Sequence, residues 1–146
     1  MNSVIIEKRS FTDTEIYKLN KKYNTLSVRD RITEMYNDFD VNEVMLTSSF
    51  ATSSAFLLHE FSQVNKDQII YFIDTTYHFD ETLEYKKQLT KLYGLKVESI
   101  YGNKIDNDFT TKNETWKKSP EFCCDINKVR PLSLIKQRFS LWVSGL

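Results

Sequence analysis

The sequence predicts an α/β fold built on a parallel sheet, and three observations predict it. Apolar runs of strand length alternate with stretches of helical period in the order β-α-β-α-β between residues 43 and 101. The run Gln68-Ile69-Ile70-Tyr71-Phe72-Ile73 is β-branched, aromatic and apolar almost throughout. That pattern suits a parallel strand covered on both faces. Only three Gly and two Pro punctuate 146 residues, so long regular elements should dominate.

Each element has its own signal. Thr12 and Glu15 form a capping-box pattern, and Ile16, Leu19 and Tyr23 follow on one helical stripe. Ser27 reads as a second cap, ahead of Val28, Ile32, Met35, Tyr36 and Phe39 at helical spacing. Residues 1–40 are therefore expected to be a helical lead-in, with the α/β core in residues 41–146 of a single domain. Residues 43–47 predict a first buried strand, and Ala55, Leu58, Phe61 and Val64 mark the helix after it. Residues 68–73 form the second strand. Phe79, Leu83, Leu89 and Leu92 mark a helix that stops at Gly94, a position suited to a left-handed cap. A third strand is expected over residues 95–101. Residues 102–122 are polar and without period, and predict a long loop. Pro131 opens a short helix through Arg138, and residues 139–143 predict a last strand. The sequence stops just past that strand, which predicts a domain truncated at its C-terminus.

Composition excludes several function classes. Lys plus Arg equals Asp plus Glu at 20 each, so no net field draws in polyanions. This argues against a dedicated nucleic-acid or membrane-surface binder. No apolar run approaches the roughly 20 residues of a membrane span, and the first ten residues lack a signal-peptide core. The simplest expectation is a cytoplasmic protein. Its two cysteines, Cys123 and Cys124, are adjacent. Neighbouring cysteines rarely bridge each other, because the small ring is strained, so a disulfide scaffold is excluded.

Three constellations could carry chemistry. Ser48-Ser49-Phe50-Ala51-Thr52-Ser53 follows the first strand and leads into a helix, where hydroxyls and unpaired N–H groups suit a phosphate or sulfate. The alternative is a Ser/Thr-rich helix cap without a ligand. Asp74-Thr75-Thr76 would line the same edge of the sheet, with Asp74 and Thr75 able to hold a ribose or base edge and His78 to act as acid or base. The alternative there is again capping, and for His78 a packed or surface histidine. Cys123 and Cys124 could each ligate a metal or cluster, with Lys128 and Arg130 near enough to stabilise thiolates or an anionic substrate. Two ligands are half of the usual four, and two idle thiols are the plain alternative.

Taken together these segments resemble the sulfonucleotide reductases, the enzymes that reduce adenylyl sulfate or its 3′-phospho form. Ser48 to Ser53 with Leu57-Leu58-His59 looks like that family's modified pyrophosphate loop. Asp74-Thr75-Thr76 with Phe79-Asp80-Glu81-Thr82 is similar to its Asp-Thr-Gly and Phe-Pro-Glu-Thr segment. Cys123-Cys124 with Lys128, Val129, Pro131 and Leu132 resembles its Cys-Cys-x-x-Arg-Lys-Val-x-Pro-Leu stretch, and the sequence from Leu141 to Leu146 resembles its Trp-Ile-Thr-Gly-Leu-Arg. Ala51 and Thr76 stand where glycines are common, Asp80 replaces a proline, and Asn127 replaces an arginine.

The resemblance implies a Rossmann-like parallel sheet of the adenine nucleotide alpha-hydrolase (PP-loop) type. It implies substrate binding by Ser48, Ser49, Phe50, Ala51, Thr52, Asp74, Thr75 and Lys128. It implies a [4Fe–4S] cluster on Cys123, Cys124 and two further cysteines beyond Leu146, and the paired cysteines favour adenylyl sulfate as substrate. The implied reaction belongs to assimilatory sulfate reduction and cysteine biosynthesis. A nucleophilic cysteine, also expected beyond Leu146, attacks sulfur and releases AMP, and thioredoxin or a similar thiol then frees sulfite. No nucleic-acid or membrane partner is implied, and a homo-oligomer is left open. Two other classes compete: an ATP pyrophosphatase of the PP-loop type, against which the lack of glycine and acid in residues 48–53 counts, and a non-catalytic nucleotide-binding fragment.

Overall fold

In the computed structural model, which describes residues 8–145, the lead-in is helical as its caps dictate. Thr12 accepts a hydrogen bond from the Glu15 N–H, while the Glu15 carboxylate accepts from the Thr12 N–H, and helix α1 runs Asp13–Tyr23. Ser27 caps α2 (Val28–Asp38) by accepting from the Asp30 N–H. The first seven residues, where a signal-peptide core is missing from the sequence, and Leu146 of the terminal motif lie outside the described residues.

Four strands follow, β1 (Val44–Thr47), β2 (Ile69–Asp74), β3 (Lys96–Tyr101) and β4 (Leu141–Ser144). All pair in parallel, in the order β3-β2-β1-β4. The predicted β-α-β-α-β core is therefore present, with α3 (Ser54–Val64) and α4 (Asp80–Tyr93) as its crossovers. Gly94 ends α4 at φ 64°, the left-handed cap that its place in the sequence requires.

Strand pleating sorts the core into two layers. Val44, Leu46, Ile70 and Phe72 face α2, α3 and α4, where they meet Met35, Phe61 and Leu89. Met45 and Tyr71 point the other way, onto Ile135 and Phe139. Each such buried side chain contributes about 1.5–3 kcal/mol, which makes the central strands β1 and β2 the rigid floor of the molecule. At the amino end of the sheet, Glu43 accepts hydrogen bonds from Arg9, the Asp40 N–H and the Ser140 hydroxyl, tying the starts of β1 and β4 together.

One sequence expectation is overturned. Residues 102–122 are not a long loop: they hold α5 (Lys104–Lys112), α6 (Thr115–Lys118) and α7 (Pro120–Cys124). Their signal is inverted. Thr110 is fully buried, while Ile105 is 79% exposed and Phe109 also faces solvent. A search for buried apolar periodicity therefore finds nothing, although Asn103 caps α5 by accepting from the N–H groups of Ile105 and Asp106. The chain continues through a π turn (Asp125–Val129) into α8 (Arg130–Lys136). Pro131 explains the wide turn, because a proline clashes with the carbonyl four residues back and has no N–H to give it. Smaller differences are shifts of one or two residues at element ends.

Candidate functional site

The strand order places a switch point between β1 and β4. Connections from β1 lead away through β2 and β3, and the chain then returns to β4 on the other side. In open parallel sheets the crevice outside the strand carboxyl ends at such a point is the usual place for a ligand. A cleft of about 280 Å³ lies there. Ser48, Ser49 and Ser54 line it from the β1–α3 connection, Lys128 from the π turn, and Ser144 and Gly145 from the end of β4. The Trp142 indole N–H donates to the Thr47 hydroxyl at 2.9 Å, which fastens the two strand ends at the cleft rim.

The serine loop is held from below. Phe50 has φ 54°, an uncommon conformation for a bulky residue, and is 1% exposed. Its ring packs edge-on against Phe72 at 5.8 Å. Burial of this ring compensates for the backbone cost, of order 1–3 kcal/mol, and forces a sharp turn that leaves Ser48 and Ser49 facing the cleft. Ser48 Oγ accepts from the Phe50 N–H at 3.1 Å. Ser53, at the start of α3, makes no side-chain cap. Ala51 and Thr52 are exposed beside the cleft rather than among its lining. Ala51 has an ordinary φ, so the glycine common there is not required by this backbone.

Asp74 and Thr75 lie at the end of β2, next to the cleft. Asp74 accepts from the Thr76 N–H at 2.9 Å, and Thr75 Oγ1 accepts from the Tyr77 N–H. Neither caps α4, which begins at Asp80 without a side-chain cap. Thr76 sits at φ 66°, so here the missing glycine does cost backbone energy. His78 lines the cleft, but its Nε2 is 3.0 Å from the Ile73 carbonyl and its ring lies 4.6 Å from that of Phe72. The same Nε2 also lies 3.4 Å from the Thr75 N–H, so His78 is a packed histidine held by the backbone at the end of β2, with one edge on the cleft.

Both cysteines are free; Cys123 is buried and Cys124 exposed. Helical geometry turns adjacent side chains about 100° apart, which accounts for the split. Lys128 follows on the π turn, has no salt-bridge partner among the described residues, and is the point where the cysteine segment enters the serine cleft. No group of three or more His, Cys, Asp or Glu suited to a metal ion occurs among the described residues. Two thiols are half the donor set of a cubane iron–sulfur cluster, so the pair fits such a group as one half of its ligands and this chain supplies no more cysteine.

Sequence reasoning missed Ser54 as a cleft residue, and used Leu132, Ser144 and Gly145 only as parts of motifs. All follow from the strand-end rule once β4 is known to lie beside β1, and that adjacency is not written in any local pattern. A larger hollow, about 620 Å³, lies at the opposite, amino end of β1 and β2, lined by Asn42, Asp67, Gln68 and Arg138 among others. Gln68 there is already bonded to the Val44 carbonyl and the Tyr36 hydroxyl. The strand carboxyl ends carry the hydroxyls of Ser48, Ser49, Ser54 and Ser144 together with Lys128, so the smaller cleft is the better candidate.

Fold and cleft define an α/β protein with a parallel sheet, a serine- and lysine-lined crevice at its switch point, and a thiol pair on the segment that carries the lysine. The phosphoadenosine phosphosulfate reductase domain matches residues 43–146, and the chain belongs to that family. An adenosine 5′-phosphosulfate reductase of Chelativorans sp. (strain BNC1) is 31% identical over 136 residues, covering 91% of this chain and 56% of that protein. Adenosine 5′-phosphosulfate reductase 2 of Bacillus subtilis (strain 168) is 31% identical over 107 residues, 71% of this chain and 45% of the relative. The chain thus spans about half the length of the curated relatives it matches. The phosphoadenylyl-sulfate reductase of Candida auris, solved as a phosphate complex, superimposes with a TM-score of 0.78 at 20% identity, over 96% of this chain and 70% of that one. That likeness fixes the fold. No described helix is long and apolar enough to cross a membrane.

Proposed function

We propose that this chain is the substrate-binding part of an adenylyl-sulfate reductase. The observation that carries the reading is the convergence of Ser48, Ser49 and Lys128 on one cleft at the β1–β4 switch point, with Cys123 and Cys124 on the same segment as the lysine. The serine hydroxyls, each already accepting from the loop backbone, keep their O–H groups to donate to phosphosulfate oxygens. Lys128 adds a positive charge where negative charge grows as the S–O bond to AMP breaks. Phe50 acts by shaping the loop, the Ala51 N–H orients the Ser49 hydroxyl, and Thr52 offers its N–H at the rim. Asp74 and Thr75, at the neighbouring strand end, are suited to the ribose and adenine.

The overall change is reduction of adenylyl sulfate to sulfite and AMP by two thiols that end as a disulfide. A cysteine outside these 146 residues attacks sulfur, AMP departs, and thioredoxin or a similar thiol releases sulfite. Cys123 and Cys124 would hold a [4Fe–4S] cluster together with two thiols from elsewhere. When bound, the cluster would order this segment and add a charged, polarisable group to the site. The paired cysteines and the adenosine 5′-phosphosulfate reductase names of the relatives favour adenylyl sulfate over its 3′-phospho form. The chain by itself binds nucleotide without turnover.

Calorimetry of the 146-residue chain with adenylyl sulfate, AMP and 3′-phosphoadenylyl sulfate tests this. Binding should weaken from adenylyl sulfate to AMP, because AMP lacks the sulfonate that meets Lys128. Tighter binding of the 3′-phospho form than of adenylyl sulfate would reverse the substrate assignment. Heat from ATP alone would point instead to an adenylating pyrophosphatase.

A further inference from the structure

Between the cysteine segment and the turn after β2 lie two bonded amides, Asn107 and Asn127, that neither the substrate reading nor the cluster uses. Asn127, on the π turn, is 2% exposed. Its Nδ2 donates to the Cys123 carbonyl at 3.0 Å and to Thr110 Oγ1 at 3.1 Å, and lies 3.6 Å from the Cys123 sulfur. The carbonyl can only accept, so the orientation of this amide is fixed. Its Oδ1 then accepts from Asn107 Nδ2 at 2.7 Å. Asn107 in turn faces the turn after β2, with Nδ2 3.0 Å from Thr76 Oγ1 and 3.3 Å from the Thr75 carbonyl. A continuous set of contacts thus runs from Cys123 through two amides to Thr75 and Thr76. The turn at its far end is held at a left-handed Thr76, which a glycine would adopt without a partner.

We propose that the Asn107–Asn127 amide pair is a positioning device that holds the Cys123 thiol inward and couples it to the Thr75–Thr76 turn, so that nucleotide at the turn tightens the cysteine segment. The coupling half of this inference rests on the reading that Asp74 and Thr75 contact nucleotide; the positioning half does not. Asn127 takes the place of an arginine in the motif this segment resembles, so the device belongs to this sequence. Burial makes it consequential. A buried amide that loses its partner suffers the full cost of desolvation, so the pair acts as a unit.

The test uses the full chain with Cys124→Ser, leaving Cys123 as its one thiol, and follows alkylation of Cys123 by iodoacetamide. Asn107→Ala leaves Asn127 in place but removes its outer partner, and should speed alkylation about tenfold. AMP should slow alkylation in the Cys124→Ser chain and lose that effect in Asn107→Ala, a difference that general loosening would not produce. Asn127→Ala should speed alkylation at least as much; if it does not fold, Asn107→Ala decides alone. Alkylation within about twofold of the parent in Asn107→Ala overturns the positioning role, since lost amide contacts should show as local opening. AMP that binds by calorimetry yet leaves the Cys124→Ser rate unchanged, or protects Asn107→Ala equally, overturns the coupling. A chain that binds no AMP removes the proposed function and the coupling together, while the nucleotide-free rates still judge the positioning role.

Discussion

The serine loop and the cysteine segment reach the same cleft but are held in opposite ways. The loop is anchored by an apolar residue: Phe50 is driven into the core against Phe72, and its polar neighbours are turned outward. The cysteine segment also buries Ile126, but it is fastened by directional polar contacts, with Asn127 bonded to Thr110 inside and Phe122 and Val129 exposed. Apolar anchoring is tolerant of small displacements, since dispersion and burial have no required angle. Hydrogen-bonded anchoring is directional and fails abruptly when one partner leaves. The loop should thus behave as a fixed cradle, and the cysteine segment as the part whose arrangement responds to its surroundings.

The largest expected effect tests the fixed side. Phe50→Ala should cost about 3–5 kcal/mol of stability, read as a lower urea midpoint, because it empties a buried site beneath the loop. A loss below about 1 kcal/mol would mean that the loop is not anchored by this ring. Lys128→Ala should weaken adenylyl-sulfate binding by about 1.5–3 kcal/mol, roughly tenfold to a hundredfold, and leave the melting temperature unmoved. Equal affinities would place the sulfonate away from the π turn.

The responsive side has its own probe at Gly102. A Cβ there would come 3.2 Å from the Ile126 carbonyl and 3.5 Å from the Asn127 Cα. Gly102→Ala should therefore displace the π turn, cost about 1–2 kcal/mol, and raise amide exchange over residues 123–129 while residues 48–54 stay protected. Exchange that rises in both regions would dissolve the distinction between them.

The smallest effect lies outside both regions. Burial pushes the pKa of Glu43 up, but hydrogen bonds from the Asp40 N–H, Arg9 and Ser140 outweigh it and hold the carboxyl below the ordinary glutamate value. A lowered folded value means that its stabilisation is present at neutral pH and is lost as pH falls through that folded value. Glu43→Gln should remove about 1 kcal/mol at pH 7 and flatten the acid limb of a stability profile. An unchanged acid limb would show that acid unfolding starts elsewhere.

Much of the fixed region is legible in the sequence. Ile69 to Ile73 declare a buried strand, Gly94 its following helix's end, and Ser48-Ser49 the strand-to-helix turn, because each rests on local periodicity or local backbone chemistry. The responsive region is far less so. Helices α5 to α7 are nine, four and five residues long and bury threonine in place of leucine, so no apolar stripe betrays them. Phe50 could be named as part of the loop from its motif, but its left-handed backbone could not, since a phenylalanine there gives no local warning. The meeting of Lys128 with Ser48 depends on β4 returning beside β1, a long-range pairing that no window of sequence contains.

The measurement that tests the account most directly is an amide chemical-shift map of the 15N-labelled chain titrated with adenylyl sulfate. The account predicts shifts that gather at Ser48, Ser49, Ser54, Lys128, Ser144 and Gly145, with a second group at Thr75 and Asn127. Shifts confined to Asn42, Asp67 and Arg138, around the larger hollow at the amino end of the sheet, would contradict it.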